Sequence, residues 1–481
     1  MIAIIFTLVV FVIVIITIAT EKMNKTIIAL LGAIILFIFL IFYTQNVLNT
    51  ISLPLKIDME NINNLLIFSR NIPLVQKIFL LLFQNGYLTP FQFSDLVNFM
   101  IGTEENSFNN LRTIILLLGI MIQVEIYHEA GVFQYIALKL IKSAHGNPEK
   151  LLLILCLLSV FMSAILSNRL TIILLIPLTI MICRILKINP IPYILSEAIL
   201  VNIGGIMFLI SSGPNILVSQ AAGLNFVDFL IHVTWFAPIL LLITYIIFKF
   251  YFKKQFRVPE KRLIQVLEEF NPWNFVPDRQ LFYKSICCLI ATIILIILLP
   301  DLLDIAALTI SLILIIISRL KVEELIKNID FGLILYLLGV FIITGCLEYV
   351  GIVDSIGFAL RGITGGSPGG TTQVVLWTSA ILSSSIDNLP IISALLPMMV
   401  ILTFGFSTFN YKTSYFALSM GSNLGDNLTP MGDNILVMDL CEQNGITLKF
   451  KDFFKIGFIS TIIQLVCTSL FLGILVAIGG A

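Results

Sequence analysis

Charge is what this sequence has least of: 12% of its 481 residues are Asp, Glu, Lys or Arg, about half the share in an ordinary soluble domain. Basic and acidic residues number 28 each, so the formal net charge is zero and bulk attraction to nucleic acid has no basis. The seven cysteines (Cys156, Cys183, Cys287, Cys288, Cys346, Cys441, Cys467) show no C-x-x-C or Cys/His spacing. That excludes a disulfide frame or metal site read from spacing and leaves small core residues in apolar runs. His128-Glu129 lacks the second histidine of H-E-x-x-H, and the glycine run 365–370 lacks the Gly-Lys-Ser/Thr ending of a phosphate loop, so neither zinc hydrolysis nor ATP drive is supported. What is abundant is apolar: 58% of the chain is hydrophobic and the mean hydropathy is +1.05. Such a chain is an integral, multi-pass membrane protein, expected in the cell membrane, and its one certain partner is the lipid bilayer.

Runs near the ~20 residues needed to cross hydrocarbon lie at about 2–19, 26–43, 113–128, 226–248, 285–300, 305–318, 331–348 and 453–478. The first has no basic n-region or small-residue cleavage pattern and is read as a span, not a signal peptide. Four other apolar stretches are interrupted by polar and helix-breaking residues. These are 151–183 at Ser167-Asn168-Arg169, 193–225 at Asn202 to Gly205 and Ser212 to Asn215, 374–405 at Asp387 to Pro390, and 413–438 at Asn423 to Asn434. Irregular backbone at membrane depth is tolerated only where it is buried in protein or lines a cavity, so four breaks in one chain point to a solute pathway.

The breaks are duplicated. Ser163-x3-Ser167-Asn168-x8-Pro177 recurs 220 residues later as Ser383-x3-Asp387-Asn388-x8-Pro397, and Leu118-Gly119 with Gly131 recurs as Leu338-Gly339 with Gly351. Asn202-Ile-Gly204 answers Asn423-Leu-Gly425, and Gly213-Pro-Asn215-Ile-Leu-Val218 answers Gly432-Asp-Asn434-Ile-Leu-Val437. The expected architecture is an all-α polytopic membrane protein of two repeats, 1–248 and 285–481. A basic cytoplasmic linker, 249–284, joins them, and 44–111 is an extramembrane insertion with an amphipathic piece around Leu65 to Phe83. With one re-entrant hairpin and five spans per repeat, one of them broken, the repeats must be inverted. Placing the linker inside puts 21 basic residues inside, 6 outside and Arg169 in the membrane, as the positive-inside rule requires.

A helix that stops within the bilayer presents bare carbonyls, and one that starts there presents bare amide N–H groups. One break can therefore hold a cation at one end and an anionic group at the other. Asn202, Asn215, Asn423 and Asn434 add amide ligands, while Gly204, Gly213, Gly425 and Gly432 let a solute approach the backbone. The second repeat carries Asp387, Asp426 and Asp433; the first has no carboxylate in its breaks but carries Arg169. Ionisable groups at this depth mark ion pathways, so at least one of the aspartates is expected to bind Na+ or exchange a proton. Helix capping is the competing account of Asp387-Asn388, Asp426 and Asp433. Arg169 either pairs with an acid or holds an anionic substrate, and Glu197, close before Asn202, either joins the site or is structural.

At these motifs the sequence resembles the ion transporter superfamily, more closely its arsenite permease and sodium/proton antiporter branch, related to the citrate and divalent-anion transporters. The residues are Ser163 to Asn168, Asn202 to Gly205, Gly213 to Asn215, Ser385 to Pro390 and Gly421 to Asn434, with His128 to Gly131 similar to a turn after the family's third span. The resemblance implies a homodimer of inverted repeats that moves a small ion or anion by elevator-like alternating access, with no cofactor and with Na+ or H+ as coupling ion. It carries hairpin-tip ligands onto Ser167, Asn168, Asp387 and Asn388, and broken-span ligands onto Asn202, Gly204, Asn215, Asn423, Gly425, Thr429 and Asn434. Na+ is expected at Asp387, Asn388 and Asn434. Arg169 departs from the family, which has small or acidic polar residues there. A sodium-coupled di- or tricarboxylate carrier is the alternative; an intramembrane aspartyl enzyme using Asp387 and Asp426, or a passive channel, are competitors from other classes.

Overall fold

The computed structural model describes residues 2–19, 23–51, 92–103 and 109–479, and every regular element among them is helical. In chain order these are α1 (Ile2–Ala19), α2 (Lys25–Ile51), α3 (Phe93–Ile101), α4 (Asn109–Glu129), α5 (Val132–Lys142), α6 (Pro148–Ile165) and α7 (Asn168–Leu186). There follow α8 (Ile191–Gly205), α9 (Gly213–Ala222), α10 (Phe226–Phe229), α11 (Ala237–Phe252), α12 (Lys261–Glu269), α13 (Arg279–Leu298), α14 (Leu303–Ser318) and α15 (Val322–Asn328). The last seven are α16 (Phe331–Tyr349), α17 (Ile352–Thr364), α18 (Pro368–Ser383), α19 (Asn388–Leu402), α20 (Thr408–Gly425), α21 (Ile435–Gln443) and α22 (Phe450–Gly479). The amphipathic piece expected at Leu65 to Phe83 lies outside the described residues.

Among the described residues seven helices are long and apolar enough to cross a membrane: α2, α4, α6, α7, α13, α16 and α22. An eighth candidate is a pair bent by 114°, Gly213–Ala222 with Phe226–Thr234. That bend falls at 223–225, and the stretch expected as one span at 226–248 is itself interrupted at 235–236. A five-residue π-turn, Leu230–Thr234, follows α10, and the chain turns at Trp235 and Phe236 before α11 begins. Pro238, in the first turn of α11, has no N–H to continue the ladder. Thr234 Oγ1 donates to the Met207 carbonyl (2.6 Å) and ties the π-turn to the first break.

The chain divides into two compact units, Met1–Asn110 with Leu335–Ile356, and Leu111–Ile334 with Gly357–Ala481. In the first unit α1 stacks on α2 through Phe6 and Phe39, with ring centroids 3.8 Å apart, and Gly339 of α16 lies directly on the backbone of Ala29. The second unit holds all four breaks. Two helical hairpins, α6–α7 and α18–α19, turn where the sequence breaks, at 166–167 and 384–387. Each opens on a capped helix with proline in its first turn: the Asn147 side chain caps α6, which begins at Pro148, and Ser367 caps α18, which begins at Pro368. Each outgoing limb carries an internal proline, Pro177 or Pro397.

The local geometry repeats as well as the sequence. Gly131 and Gly351 end α4 and α16 with φ of 72° and 74°, a left-handed conformation that only glycine adopts freely. Ser163 Oγ lies 2.6 Å from the Val201 carbonyl and Ser383 Oγ 2.6 Å from that of Ser422, tying α6 to α8 and α18 to α20. Gly204 and Gly425 sit at those same crossings, where a Cβ would strike the carbonyl oxygens of Val160 and Ala380. Small residues that let backbones touch are the usual glue of membrane helices. Gly425→Val is therefore expected to lower the unfolding free energy by roughly 2 kcal/mol or more through overpacking. Gly473→Ala, where a Cβ meets nothing, is expected to leave it unchanged or raise it by about 0.5–1 kcal/mol. Denaturant titration of the purified chain separates the two, and equal losses would refute the close crossing.

Candidate functional site: two broken helices joined by side-chain amides

At the first break α8 ends at Gly205 and α9 starts at Gly213, so carbonyls and amides are left open at one place. The chain closes most of them with its own side chains. Asn215 Nδ2 donates to the Gly205 and Phe208 carbonyls (2.8 and 2.7 Å). Ser211 Oγ, 2.8 Å from the Gly205 carbonyl and 2.6 Å from that of Phe208, adds a further donor. Ser212 caps α9 by accepting from the Asn215 amide. The second break is built differently: α20 ends at Gly425, short 3-10 turns cover 426–428 and 432–434, and α21 follows. Here Asn434 Nδ2 donates to the Asp426 carbonyl at 2.8 Å.

A line of side-chain hydrogen bonds connects the first hairpin tip to both breaks and beyond. Ser163 Oγ lies 2.6 Å from Asn168 Oδ1, Asn168 Nδ2 donates to Asn202 Oδ1 (2.6 Å), and Asn202 Nδ2 donates to Asn427 Oδ1 (2.7 Å). Asn427 Nδ2 then donates to Gln464 Oε1 (3.3 Å) on α22, and Gln464 Nε2 to Thr244 Oγ1 (3.0 Å) on α11. Ser163, Asn202, Asn427, Gln464 and Thr244 are at most 1% exposed and Asn168 is 4% exposed. Beside this line Asn215 Oδ1 accepts from Ser419 Oγ and, at 3.5 Å, from Asn423 Nδ2.

Two carbonyl oxygens in this region find no donor among the described residues, Asn423 Oδ1 and Asn434 Oδ1, and both are buried. Asn423 Oδ1 faces Gly205, where an added Cβ would stand 3.2 Å away. Asp426 is 3% exposed and its Oδ1 faces Gly432 from one side, while the Asp387 Cα approaches Gly432 from another. Asn423 and Asn434 thus each keep a buried acceptor with no donor among the described residues, the kind of group a hard cation can satisfy.

The sequence-expected residues divide by position. Asn168, Asn202, Asn215, Asn423, Asp426 and Asn434 lie in the buried network, and Asn388 is buried at the start of α19. Gly204 and Gly425 act as crossing points of backbone. Asp387 caps α19, its Oδ1 accepting from the Leu389 amide (3.3 Å), and Thr429 Oγ1 donates to the Ser384 carbonyl, holding the second break to the second hairpin tip. Ser167 is exposed and caps α7 through Leu170 N. The Asp433 side chain lies outside the described residues. Arg169 points away from the network: its Nη1 meets Asp330 Oδ2 at 3.0 Å, with both side chains nearly half exposed.

Asn427 and Gln464 were not among the residues expected from sequence, and both are central. Asn427 lies inside the second break motif, but its counterpart position in the first half is apolar, so duplication hides it. Gln464 is a lone amide in the apolar run of α22, and an unexplained polar residue inside a span is the signal that would have found it.

Comparison with known proteins extends the geometry. A family model described as "Citrate transporter" (CitMHS) matches residues 15–408. A "46 kDa membrane protein" of Mycobacterium leprae is 31% identical over 75% of this chain and 85% of its own length. An "Uncharacterized transporter" of Mycobacterium tuberculosis is 30% identical over the same shares. The "P protein" of Sus scrofa is 26% identical over 73% of this chain and 51% of its own length. Among solved structures, the YdaH transporter of Alcanivorax borkumensis superposes with a TM-score of 0.51 at 13% identity, over 76% of this chain and 85% of that one. That likeness is one of fold, an all-α polytopic membrane transporter. With the family matched across most of its length and the broken-helix network in place, the chain is a multi-pass membrane protein of the citrate transporter family, CitMHS.

Proposed function

We propose that the chain is a secondary active transporter that couples a Na+ or H+ gradient to the movement of a small inorganic ion or anion. The observation that carries this reading is the pair of buried, donorless oxygens, Asn423 Oδ1 and Asn434 Oδ1, beside buried Asp426. A partly or wholly dehydrated Na+ supplies what those oxygens lack, and α8 and α20 end at the two breaks, where a helix carries the negative end of its dipole. Asp387 and Asn388, at the second hairpin tip, complete the proposed Na+ locus with Asn434. The duplicated hairpins and breaks support alternating access by an elevator-like movement of inverted repeats, in a homodimer. Sodium/proton antiport or arsenite-type permeation is favoured by the concentration of aspartates in the second half.

The second reading, a sodium-coupled di- or tricarboxylate carrier, is favoured by the name of the matched family. Under it the anion would sit on the amide ends of α7, α9 and α19, since those helices all begin at the breaks. Arg169 does not contribute its charge to such an anion in this arrangement, because Asp330 holds it. That ion pair also relieves the first hairpin tip of a positive charge that would repel a cation.

The test begins with purified protein in sealed liposomes holding a pH dye, onto which a Na+ gradient is imposed. Saturable, protein-dependent proton movement is the expected result, and Asp387→Asn is expected to abolish it while leaving the protein folded. Proton movement that survives in Asp387→Asn would remove that residue from the coupling site. No movement in folded wild-type protein, with Na+-driven uptake of a carboxylate instead, would establish the second reading. In the same assay Asp330→Asn, which releases the Arg169 charge, is expected to raise the half-saturating Na+ concentration, and Arg169→Ala in that background to restore it. Because the pair is half exposed, neither change is expected to cost more than about 1 kcal/mol of stability; equal Na+ dependence in all three would show that the charge does not reach the site.

A further inference from the structure

Away from the amide line, the second unit buries Glu125, Asp228 and Asp304, each against a partner (Asn328, Lys412 and Arg112), and, more deeply than any of them, Glu197. Glu197 of α8, 1% exposed, accepts a hydrogen bond from Thr179 Oγ1 on α7 at 2.6 Å through Oε1, while its Oε2 has no partner among the described residues. The titratable groups around it are thiols and phenols. Cys156 of α6, Cys183 of α7 and Cys441 of α21 lie within electrostatic reach, and Tyr193 sits one turn below on α8, its hydroxyl turned to the Pro148 carbonyl.

Basic residues on the helices of this unit meet other groups. Lys249 of α11 pairs with Glu149 (2.8 Å), Lys412 of α20 with Asp228 (2.6 Å), and Lys455 of α22 lies over the Tyr251 ring. Arg184 of α7 donates to the Asn444 carbonyl. A carboxylate anion in that setting would carry its full charge in protein with one hydroxyl for solvation, an arrangement that buried charges avoid unless paired.

We propose that Glu197 is a proton-binding site of the transport cycle, neutral in the arrangement seen here and releasing its proton when the α7–α8 packing opens. The two helices that hold it are those that carry the network: α7 begins at Asn168, and α8 carries Asn202 five residues beyond Glu197. The partner hydroxyl lies just past a built-in weak point, since Pro177 has no N–H for the Ile173 carbonyl and loosens α7 two residues before Thr179. Movement of the hairpin tip thus bears directly on the one bond that solvates the acid. The proposal names the coupling ion of the carrier reading and rests on it.

Its test needs no transported solute. Infrared difference spectra of the purified full chain in lipid, taken between acid and alkaline pH, are expected to show a protonated-carboxyl band that disappears as pH rises. Glu197→Gln is expected to remove the band, and Thr179→Val, which keeps the acid but deletes its hydrogen bond, to shift its frequency. A wild-type protein with no titrating band, or a titrating band that persists in Glu197→Gln, would overturn the proposal. So would a Thr179→Val spectrum identical to wild type, and that arm stands even if Glu197→Gln fails to fold. In the Na+-jump assay, loss of proton movement in Glu197→Gln with a displaced pH profile in Glu197→Asp would support it. Undiminished movement in Glu197→Gln would overturn it, whereas a silent wild type that keeps the titrating band would count against the Na+/H+ reading and for the proton site.

Discussion

Every backbone polar group inside a membrane must find a partner in the protein, because lipid offers none. This chain breaks its helices four times and meets that demand with side-chain amides and hydroxyls. Asn215 and Ser211 close the carbonyls that α8 leaves open, Asn434 closes that of Asp426, and Ser163 and Ser383 close those of Val201 and Ser422. The hairpins, the glycine crossings and the asparagine line are all consequences of paying this debt without water. Among the described residues the buried side-chain atoms left without a partner include Asn423 Oδ1 and Asn434 Oδ1, where a cation is proposed to sit, and Glu197 Oε2, along with hydroxyl, amide and imidazole atoms at other places.

The breaks themselves were legible in the sequence because they are written in residues that stop helices or cap them. Ser167, Asp387, Ser212 and Ser367 stand at N-caps, Pro148 and Pro368 at first positions, and Gly131 and Gly351 at left-handed ends. Duplication made the signal stronger, since the same residue types reappear at a nearly constant spacing. The interruption after Thr234 was not legible: hydropathy averages over 226–248 and is blind to a π-turn in an apolar stretch.

Who meets whom across the two halves was also hidden. Asn202 and Asn427 are 225 residues apart, and Arg169 and Asp330 are 161 apart. Nothing in local periodicity reports such pairs. Arg169 in particular reads in sequence either as half of an ion pair or as a charge for an anionic solute, and in the fold it meets the half-exposed carboxylate of Asp330. The polarity of the site follows from that pairing. With the arginine neutralised, the balance near the breaks is set by acceptors and aspartates.

The asparagine line has one more property. A carboxamide has an oxygen and a nitrogen in almost interchangeable places, so Asn168, Asn202, Asn427 and Gln464 can be turned end over end without moving a backbone atom. As drawn above, the single Ser163 proton faces two acceptors, Asn168 Oδ1 and the Val201 carbonyl. With all four amides turned, Ser163 donates to Val201 and accepts from Asn168, each amide again meets its neighbour donor to acceptor, and Thr244 donates to Gln464. A single turned amide would instead set two donors or two acceptors face to face, so the reversal is all or none. The line is thus a wire with two senses, and a ligand that demands an acceptor at the first hairpin tip also determines which atom Thr244 meets at the far end, on α11.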